Sequence, residues 1–257
     1  MVQPVSAVRR RLRPLRRRLS GLGTRPLTVG RYRAPRDLRP LRPDEQAATD
    51  AFHHAYYDSW DQPSGGSRGT IDLSWFGYRT LKSPLDLWTY QEIIVETRPD
   101  LIVETGTHSG GSALYLASIL DLLGHGSVLT VDIAVPKAPP SHPRLRYLTG
   151  SSVAVDIVAR VRAAAEGKRV MVLLDSDHTA AHVAAELAAY DDLVSVGGYL
   201  VVEDTNVNGH PVKPDFGPGP MEALDEFLAQ RDDFVIDPDR ERFLMTLNPR
   251  GFLRRVR

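Results

Sequence analysis

The 257-residue sequence predicts an α/β fold in which a doubly wound, mostly parallel sheet of seven strands follows an Arg-rich N-terminal extension. Short, almost continuously apolar segments alternate with helical segments between residues 84 and 202. Strands that are apolar on both faces are typical of parallel sheets covered by helices on both sides. The composition, 42% hydrophobic and 25% charged residues, is that of an ordinary globular domain.

The formal net charge of zero conceals a strong asymmetry between the N-terminus and the rest of the chain. Residues 1–40 contain twelve arginines and one acid, Asp37, whereas the other residues contain 20 basic and 31 acidic side chains. We therefore divide the chain into a basic, flexible extension, residues 1–43, and a globular domain, residues 44–257. A helical apolar spacing over 5–22 could bring the extension onto an anionic surface, with a solvated tail as the alternative; nucleic-acid binding is not favoured.

Five segments have the apolar spacing or the end signals of helices. Ser83 is a suitable N-cap for the second of them, because Pro84 would then occupy the first helical position, where its missing N–H is tolerated. The Gly/Ser-rich residues 64–69 predict a turn. The predicted helices are 44–57, 84–97, 109–123, 153–165 and 179–190.

Five short apolar segments predict parallel strands, and two more near the C-terminus predict an antiparallel pair that closes the sheet. A short polar turn rich in Pro, Asp and Arg separates the last two segments. The predicted parallel strands are 101–103, 127–131, 145–148, 170–174 and 198–202, and the predicted antiparallel pair is 234–236 with 243–247.

The sequence contains no cysteine. This excludes disulfides, zinc–thiolate sites, iron–sulfur clusters and thiol nucleophiles. No run approaches the roughly 18 apolar residues that are needed to cross a bilayer, and the basic N-terminus lacks the apolar core of a secretory signal. We therefore expect a cytoplasmic protein without a transmembrane segment.

Polar and acidic residues follow four of the predicted strands. In an open parallel sheet, ligands bind at the carboxyl ends of the strands, near the point where the strand order reverses. We therefore expect these strand ends to share one binding site. The residues are 104–112 after the first strand, Asp132 after the second, 175–178 after the fourth, and Glu203 with Asp204 after the fifth.

The glycine-rich loop at 104–112 does not match a dinucleotide-binding fingerprint, because His108 stands where a second glycine would let the backbone approach a pyrophosphate. A cofactor without phosphates fits better, and S-adenosylmethionine is such a cofactor. Gly106 would form the tight turn, and Asp132 would accept hydrogen bonds from the ribose hydroxyls. Glu104 would face the ammonium end of the cofactor, directly or through water. The predicted cofactor contacts are Glu104, Gly106, Thr107, His108, Ser109, Gly110, Ser112, Asp132, Ser151 and Asp175.

Six runs of residues between Trp75 and Thr205 carry a family resemblance. The runs are WFG at 75–77, KSPLDLWTYQE at 82–92, PDLIVETG at 99–106, GGS at 110–112, LDSDH at 174–178 and GYLVVEDT at 198–205. Together they resemble the CmcI-like family, which includes cephalosporin hydroxylases and rhamnosyl O-methyltransferases. The resemblance covers roughly residues 70–250 and leaves out the first 45 residues. It implies a class I methyltransferase fold, which is Rossmann-like, with S-adenosylmethionine, a divalent cation (Mg²⁺ or Mn²⁺), methyl transfer to a hydroxyl, and assembly into a homo-oligomer.

The same resemblance places the family's metal carboxylates on Asp177, Glu203 and Asp204. Three carboxylates at neighbouring strand ends repel one another unless a cation neutralises them, and an all-oxygen ligand set suits Mg²⁺. His178, directly after Asp177, is our first candidate for the general base, since histidine changes charge near neutral pH; His108 is the second. A capping or merely exposed imidazole is the alternative. His182 lies four residues after His178, but the segment lacks the Glu of a zinc-protease helix.

The segment 206–220 contains four prolines and three glycines and directly follows the proposed metal ligands. Its position favours a lid over the acceptor, with an ordinary mobile loop as the alternative. Its predicted acceptor contacts are Asn208, His210 and Lys213. Aromatic residues form either one wall of the acceptor pocket or part of the core; they are Trp75, Trp88 and Tyr90.

These observations favour an O-methyltransferase that depends on S-adenosylmethionine and Mg²⁺. The expected acceptor is a hydroxyl of a sugar or glycoside, such as a mannoside or rhamnoside of a polysaccharide or glycolipid, or of another polyhydroxy natural product. A non-haem iron oxygenase is one alternative, but none of the eight histidines begins the His-x-Asp or His-x-Glu pair that such sites often use. A binding module without activity is the other.

Overall fold

The structure is a computed structural model, and it describes residues 28–30, 40–60 and 71–257. The helix predicted over 5–22, most of the predicted extension and the turn predicted at 64–69 lie outside the described residues. Val29 is a described residue of the predicted extension, and it packs against the core of the domain.

The described residues form six α-helices and nine strands, together with short 3-10 helices at Asp191–Leu193 and Pro238–Glu241. The α-helices are α1 (Pro43–Tyr57), α2 (Pro84–Thr97), α3 (Gly111–Leu122), α4 (Val155–Ala165), α5 (Ala180–Tyr190) and α6 (Pro220–Gln230). The strands are β1 (Ser74–Trp75), β2 (Tyr78–Arg79), β3 (Leu101–Thr105), β4 (Ser127–Asp132), β5 (Leu145–Thr149), β6 (Val170–Leu174), β7 (Tyr199–Val202), β8 (Phe234–Ile236) and β9 (Phe252–Arg255).

Seven strands form the central sheet in the order β5-β4-β3-β6-β7-β9-β8. The first five are parallel, whereas β9 pairs antiparallel with both β7 and β8. The predicted doubly wound, mostly parallel sheet of seven strands is therefore confirmed. The strand order reverses between β3 and β6, which is where a ligand site is expected.

Helices cover both faces of the sheet, because successive side chains of a strand point to opposite faces. Leu101 and Val103 of β3 join one buried cluster with residues of α4, α5 and α6. Ile102, between them, joins the other cluster with residues of α2 and α3. Each such side chain, fully buried, contributes about 1.5–3 kcal/mol. This two-sided burial explains why the strands have continuously apolar sequences.

The start of α2 is formed as predicted. Ser83 is the N-cap, and its Oγ accepts a hydrogen bond from the Leu85 N–H at 3.2 Å. Pro84 occupies the first helical position. The helix ends where Arg98 adopts a left-handed conformation with φ of 47°.

The strand predicted at 243–247 is wrong, and its place in the sheet is taken by β9. The physical reason is a buried carboxylate on α2. Asp86 accepts hydrogen bonds from the Thr246 hydroxyl at 2.5 Å and from the Leu247 N–H at 3.0 Å, and Leu244 adopts a left-handed φ of 73°. The Leu247 N–H therefore donates to the Asp86 side chain instead of to the backbone of a neighbouring strand.

Besides β9, a hairpin and a helix were absent from the sequence-based prediction. One is the β1–β2 hairpin, whose two-residue loop has positive φ at both Phe76 (48°) and Gly77 (83°). Such loops usually carry Asn-Gly or Asp-Gly, so Phe-Gly gave little signal. The other is α6, which begins at Pro220. None of the helices formed by the described residues combines the length and the apolarity that a membrane span requires.

Candidate active site

The loop between β3 and α3 is shaped by glycine. Gly106 has a left-handed φ of 87°, and a Cβ at this position would lie 1.8 Å from the carbonyl oxygen of Asp175. Gly110, the N-cap of α3, has a φ of 79°, and a Cβ there would lie 2.7 Å from Cδ of Pro140. Only glycine therefore lets the end of β3 pass close to the end of β6.

Asp132, at the end of β4, closes this loop. Its Oδ2 accepts hydrogen bonds from the Thr107 N–H at 2.8 Å and the His108 N–H at 2.9 Å, and its Oδ1 accepts one from the Ala134 N–H at 3.0 Å. A carboxylate has about four acceptor positions, so these bonds use most of its capacity. Asp132 thus fixes the loop, and ribose binding through its remaining capacity stays a prediction.

Glu104 lies beneath the loop, fully buried. Its two oxygens accept hydrogen bonds from Ser112 Oγ at 2.6 Å and Thr130 Oγ1 at 2.7 Å. Burial raises the pKa of Glu104 to about 7, although the charge of Lys82 and the two hydroxyl donors act in the opposite direction. Both oxygens of Glu104 are thus engaged by hydroxyl donors, and its contact with the cofactor's ammonium end, directly or through water, stays a prediction.

The other predicted cofactor contacts lie around the same loop. The Thr107 hydroxyl lies 2.8 Å from that of Thr130. Ser109 Oγ lies 2.9 Å from Nδ1 of His108 on the exposed side of the loop. Ser151 follows β5, where its carbonyl oxygen accepts from the Ala154 N–H at 3.0 Å.

Three side chains meet at the carboxyl ends of β6 and β7, and we call them the strand-end cluster. They are Asp175, His178 and Asp204, and one ligand atom from each lies within 4.8 Å of the other two. His178 Nε2 is 3.1 Å from Asp204 Oδ2. Asp204 has a left-handed φ of 53°, and its N–H donates to Oδ1 of the buried Asn248 at 3.0 Å. That bond anchors the backbone of Asp204 in an uncommon conformation.

A buried lysine lies behind the cluster. Lys82 Nζ is 2.5 Å from Asp175 Oδ2 and 2.5 Å from Glu203 Oε2, and its side chain is only 3% exposed. Burial alone would lower the pKa of Lys82, but the charges of Asp175, Glu203 and Glu104 outweigh burial and raise it. Lys82 therefore stays positively charged and compensates the carboxylates around it.

The structure does not bring the three predicted metal carboxylates together. Of Asp177, Glu203 and Asp204, only Asp204 belongs to the strand-end cluster. Asp177 Oδ1 accepts from the Thr179 N–H at 2.8 Å, and bonds from Thr179 lower the pKa of Asp177. Glu203 faces Lys82, and burial together with the charge of Asp175 raises its pKa. Asp177 thus closes the turn that leads into α5, and Glu203 belongs to the buried lysine pair.

His182 does not join His178. Its Nε2 lies 3.1 Å from Ser152 Oγ and 3.4 Å from Oε1 of the buried Glu186. Among the described residues, the strand-end cluster therefore has one imidazole and two carboxylates. A non-haem iron oxygenase site would need two histidines and one carboxylate.

Glu222 on α6 holds the predicted lid, residues 206–220, through hydrogen bonds. Its carboxylate accepts from Asn208 Nδ2 at 3.0 Å and the Gly219 N–H at 2.6 Å, and it lies 2.9 Å from His210 Nε2. Burial raises the pKa of Glu222, but these bonds together lower it to about 2. Lys213 Nζ lies 5.3 Å from the centre of the Tyr57 ring. The three predicted acceptor contacts are therefore engaged within the chain.

The three aromatic residues lie in different environments. Tyr90 is buried in the core, as the alternative prediction had it. Trp75 packs edge-on against Tyr115, with ring centres 4.9 Å apart. Trp88 is 59% exposed on α2, and its indole N–H donates to Glu92.

The described residues also form a cleft of about 480 Å³. We call it the α1 cleft, because α1 forms one wall, residues 209–211 form another, and residues 238–249 form the third. His53 of α1 lines it and is only 4% exposed. Its Nε2 lies 2.9 Å from Nδ2 of the buried Asn206, two residues after Asp204.

Sequence reasoning missed four functional candidates: Lys82, Asp86, His53 and Asn206. Lys82 is 93 residues away from Asp175, and His53 is 153 residues away from Asn206. No spacing rule links residues so far apart. A signal existed only for Lys82 and Asp86, which lie in the run that resembles the CmcI-like family.

Comparison with known proteins decides the family. A family model described as rhamnosyl O-methyltransferase/CmcI matches residues 68–256. The chain belongs to this family. Proteins named rhamnosyl O-methyltransferase are similar to it: that of Mycobacterium tuberculosis is 39% identical over 221 residues, which is 82% of this chain and 86% of the relative. That of Mycobacterium leprae is 37% identical over 222 residues, which is 82% of this chain and 92% of the relative.

Solved structures of CmcI share the fold. An apo structure of CmcI matches with a TM-score of 0.58 at 22% identity, over 91% of this chain and 90% of that one. A structure of CmcI with Mg and S-adenosylmethionine matches with a TM-score of 0.57 at 21% identity and the same coverage. The predicted class I methyltransferase fold is therefore confirmed. Membership of the rhamnosyl O-methyltransferase/CmcI family also confirms the predicted enzyme class, an O-methyltransferase.

Proposed function

We propose that this family member transfers a methyl group from S-adenosylmethionine to a hydroxyl of a sugar or glycoside, with Mg²⁺ or Mn²⁺ as the metal. The observation that carries the proposal is the strand-end cluster, which lies beside the point where the strand order reverses. The names of the mycobacterial relatives support a rhamnoside as the first acceptor to test, with a mannoside next. The CmcI structure with Mg and S-adenosylmethionine supports the two cofactors.

The residues at the cluster fit a hard divalent cation. Asp175 and Asp204 offer carboxylate oxygens, which Mg²⁺ and Mn²⁺ prefer. Glu203 Oε1 is buried beside them and has no hydrogen-bond partner among the described residues. A buried polar atom without a partner is what a bound ion or ordered water would satisfy. A divalent cation bound here would lower the pKa of an acceptor hydroxyl.

Asp204 is the carboxylate on which both ligand sets agree. The family resemblance adds Asp177 and Glu203, whereas the geometry adds Asp175 and His178. We assign Asp204 and Asp175 as the carboxylate ligands, because both belong to the strand-end cluster, whereas Asp177 and Glu203 do not. A water bound to the ion would then satisfy Glu203 Oε1. The ammonium group of Lys82 contacts Oδ2 of Asp175 at 2.5 Å. The other oxygen, Oδ1, is therefore the one that would bind the metal.

His178 is the proposed general base. When its Nε2 carries the proton, Asp204 Oδ2 accepts from it at 3.1 Å and orients the ring, which leaves a lone pair on Nδ1. The acceptor O–H bond breaks, and its proton moves to this nitrogen. The oxygen forms a bond to the methyl carbon while the carbon–sulfur bond of the cofactor breaks, and S-adenosylhomocysteine leaves.

Two measurements test this function. S-adenosylhomocysteine should raise the melting temperature, since a ligand that binds only the native state stabilises it, whereas NAD should not. Labelled S-adenosylmethionine with Mg²⁺ should label methyl α-L-rhamnoside or methyl α-D-mannoside, EDTA should stop the labelling, and added Mg²⁺ or Mn²⁺ should restore it. A melting shift with NAD alone would contradict the cofactor. Intact cofactor binding with no labelled sugar would contradict the acceptor class.

Assembly into a homo-oligomer and a cytoplasmic location, both expected from the sequence, stay predictions.

A further inference from the structure

The α1 cleft has the size and the chemistry of a sugar site. Its volume of about 480 Å³ falls within the range of roughly 300–1,000 Å³ for small-molecule sites. Its polar side chains include carboxylates, two imidazoles and a guanidinium, which can bond to hydroxyl groups. Its prolines and leucines can contact the C–H faces of a sugar ring. The charged and imidazole-bearing residues of its walls are Asp50, His53, His210, Glu241 and Arg242.

The polar groups of the cleft are held in place by neighbouring elements. Gln46 Nε2 donates to Asp50 Oδ1 at 2.8 Å. Glu241 Oε1 accepts from the Arg250 N–H at 2.9 Å, and the guanidinium of Arg242 pairs with Glu92 of α2. Fixed side chains lose less conformational entropy when they bind a ligand, so the cleft is prepared for an occupant.

A contact between two buried side chains connects the floor of the cleft with the segment that follows Asp204. His53 lines the cleft and contacts Asn206, which follows Asp204 by two residues. Asn206 is fully buried, and its Oδ1 has no hydrogen-bond partner among the described residues. Such an atom costs free energy unless a ligand or water satisfies it. Thr246 also lines the cleft, and its hydroxyl binds the buried Asp86.

We propose that the α1 cleft binds the sugar acceptor, with His53 and Asn206 at the end where the reacting hydroxyl meets Asp204. This inference rests on the proposed function and names the part of the chain that recognises the acceptor. Helix α1 lies before residues 68–256, which the family model matches. The acceptor preference of this chain is therefore set in part by a segment outside that match.

Two tryptophan variants of α1 test the proposal with a matched control. Thr49 lines the cleft, and Thr49→Trp would fill part of it. Ala48, its exposed neighbour on the same helix, does not line the cleft, and Ala48→Trp adds the same side chain outside it. The measurements are the KM for methyl α-L-rhamnoside or methyl α-D-mannoside, whichever the wild type labels, and the Kd for S-adenosylhomocysteine.

Thr49→Trp should raise the acceptor KM at least 10-fold and leave the Kd for S-adenosylhomocysteine within 2-fold, about the spread expected of an unrelated surface change. Ala48→Trp should change neither value. A second pair, His53→Gln with the exposed His54→Gln as control, should show the same contrast in acceptor KM. An unchanged acceptor KM in both Thr49→Trp and His53→Gln would overturn the cleft assignment and leave the proposed function standing. A wild type that labels no sugar would overturn the proposed function, and this inference with it.

Discussion

The strand-end cluster and the α1 cleft are connected by the contact between His53 and Asn206, but they are built by different parts of the fold. Asp175 and Asp204 follow β6 and β7, whose pairing sets Leu174 beside Val202. The α1 cleft instead joins residues 41–53, 209–211 and 238–249, and none of these belongs to the central sheet. The sheet therefore positions the carboxylates of the strand-end cluster. Helices and loops that are distant in sequence form the cleft that we propose for the acceptor.

The two regions also manage buried polar groups differently. In the cluster, a buried cation, Lys82, compensates buried carboxylates. In the cleft, His53 is neutral near pH 7: burial lowers its pKa to about 4, His54 acts in the same direction, and Asp50 and Asp204 act against it. Removal of Lys82 or one of its carboxylate partners should therefore lower the free energy of unfolding through the cluster. A fall in pH should lower it through His53 at the cleft.

The largest effect on stability is expected from Lys82→Met. This change leaves Asp175 and Glu203 buried without their counter-charge, and the loss of one partner from a buried pair costs about 3–5 kcal/mol. Urea denaturation should show that loss in the free energy of unfolding. The exposed Lys137→Met is the control, and Lys82→Met combined with Glu203→Gln should recover part of the loss. A decrease below about 1 kcal/mol, the range of surface ion pairs, would show that the lysine pair is not structural.

The next effect separates the two metal sets within the cluster. Asp204→Asn should lower kcat/KM by a factor on the order of 10² or more, because the carboxylate that binds the metal is lost, and should spare binding of S-adenosylhomocysteine. Asp175→Asn should resemble it. Asp177→Asn should have a smaller effect, since this carboxylate accepts a hydrogen bond from the Thr179 N–H in the turn before α5, and the asparagine oxygen can accept the same bond. The exposed Asp215→Asn is the control.

The activity of Asp177→Asn distinguishes the metal ligands that the geometry favours from those that the family resemblance implies. A loss in Asp177→Asn as large as that in Asp204→Asn, with Asp175→Asn near wild type, would make Asp177 the ligand that the family resemblance implies. Binding of Mn²⁺ to each variant, followed by its paramagnetic effect on water relaxation, gives a readout that does not depend on turnover.

The sequence predicted most of the cluster and little of the cleft, for a physical reason. Asp175, His178 and Asp204 could be found because apolar strands can be read from their pattern, and parallel strand ends meet at one edge. Which of Asp175 and Asp177 points to that edge depends on the turn into α5, which no periodicity encodes. His53 could not be found, because its burial depends on α1 packing against residues more than 150 positions away.

The last prediction concerns the cleft and is the smallest in size. His53 has an ordinary pKa of about 6.5 in the unfolded chain and about 4 in the folded one. Between these values the unfolded state binds more protons, so stability is complete above about pH 6.5 and is lost as the pH falls towards 4. At pH 5 the loss that His53 causes amounts to about 2 kcal/mol relative to pH 7.5.

The effect of His53 on the pH dependence of stability must be separated from that of other buried groups. Asp86 and Glu104 titrate in the same pH range, and their effect on stability has the opposite sign. Burial raises the pKa of Asp86 to about 6 and that of Glu104 to about 7, so both take up protons in the folded state. Urea denaturation of the wild type, His53→Gln and the exposed control His54→Gln at pH 7.5 and pH 5 removes these shared contributions. Wild type should lose about 2 kcal/mol more than His53→Gln over this interval. His54→Gln should lose somewhat less than wild type, because His54 helps to lower the pKa of His53. Equal losses in all three proteins would mean that His53 is protonated in the folded state, and that the end of the cleft beside Asp204 is open to water instead of closed by a neutral imidazole.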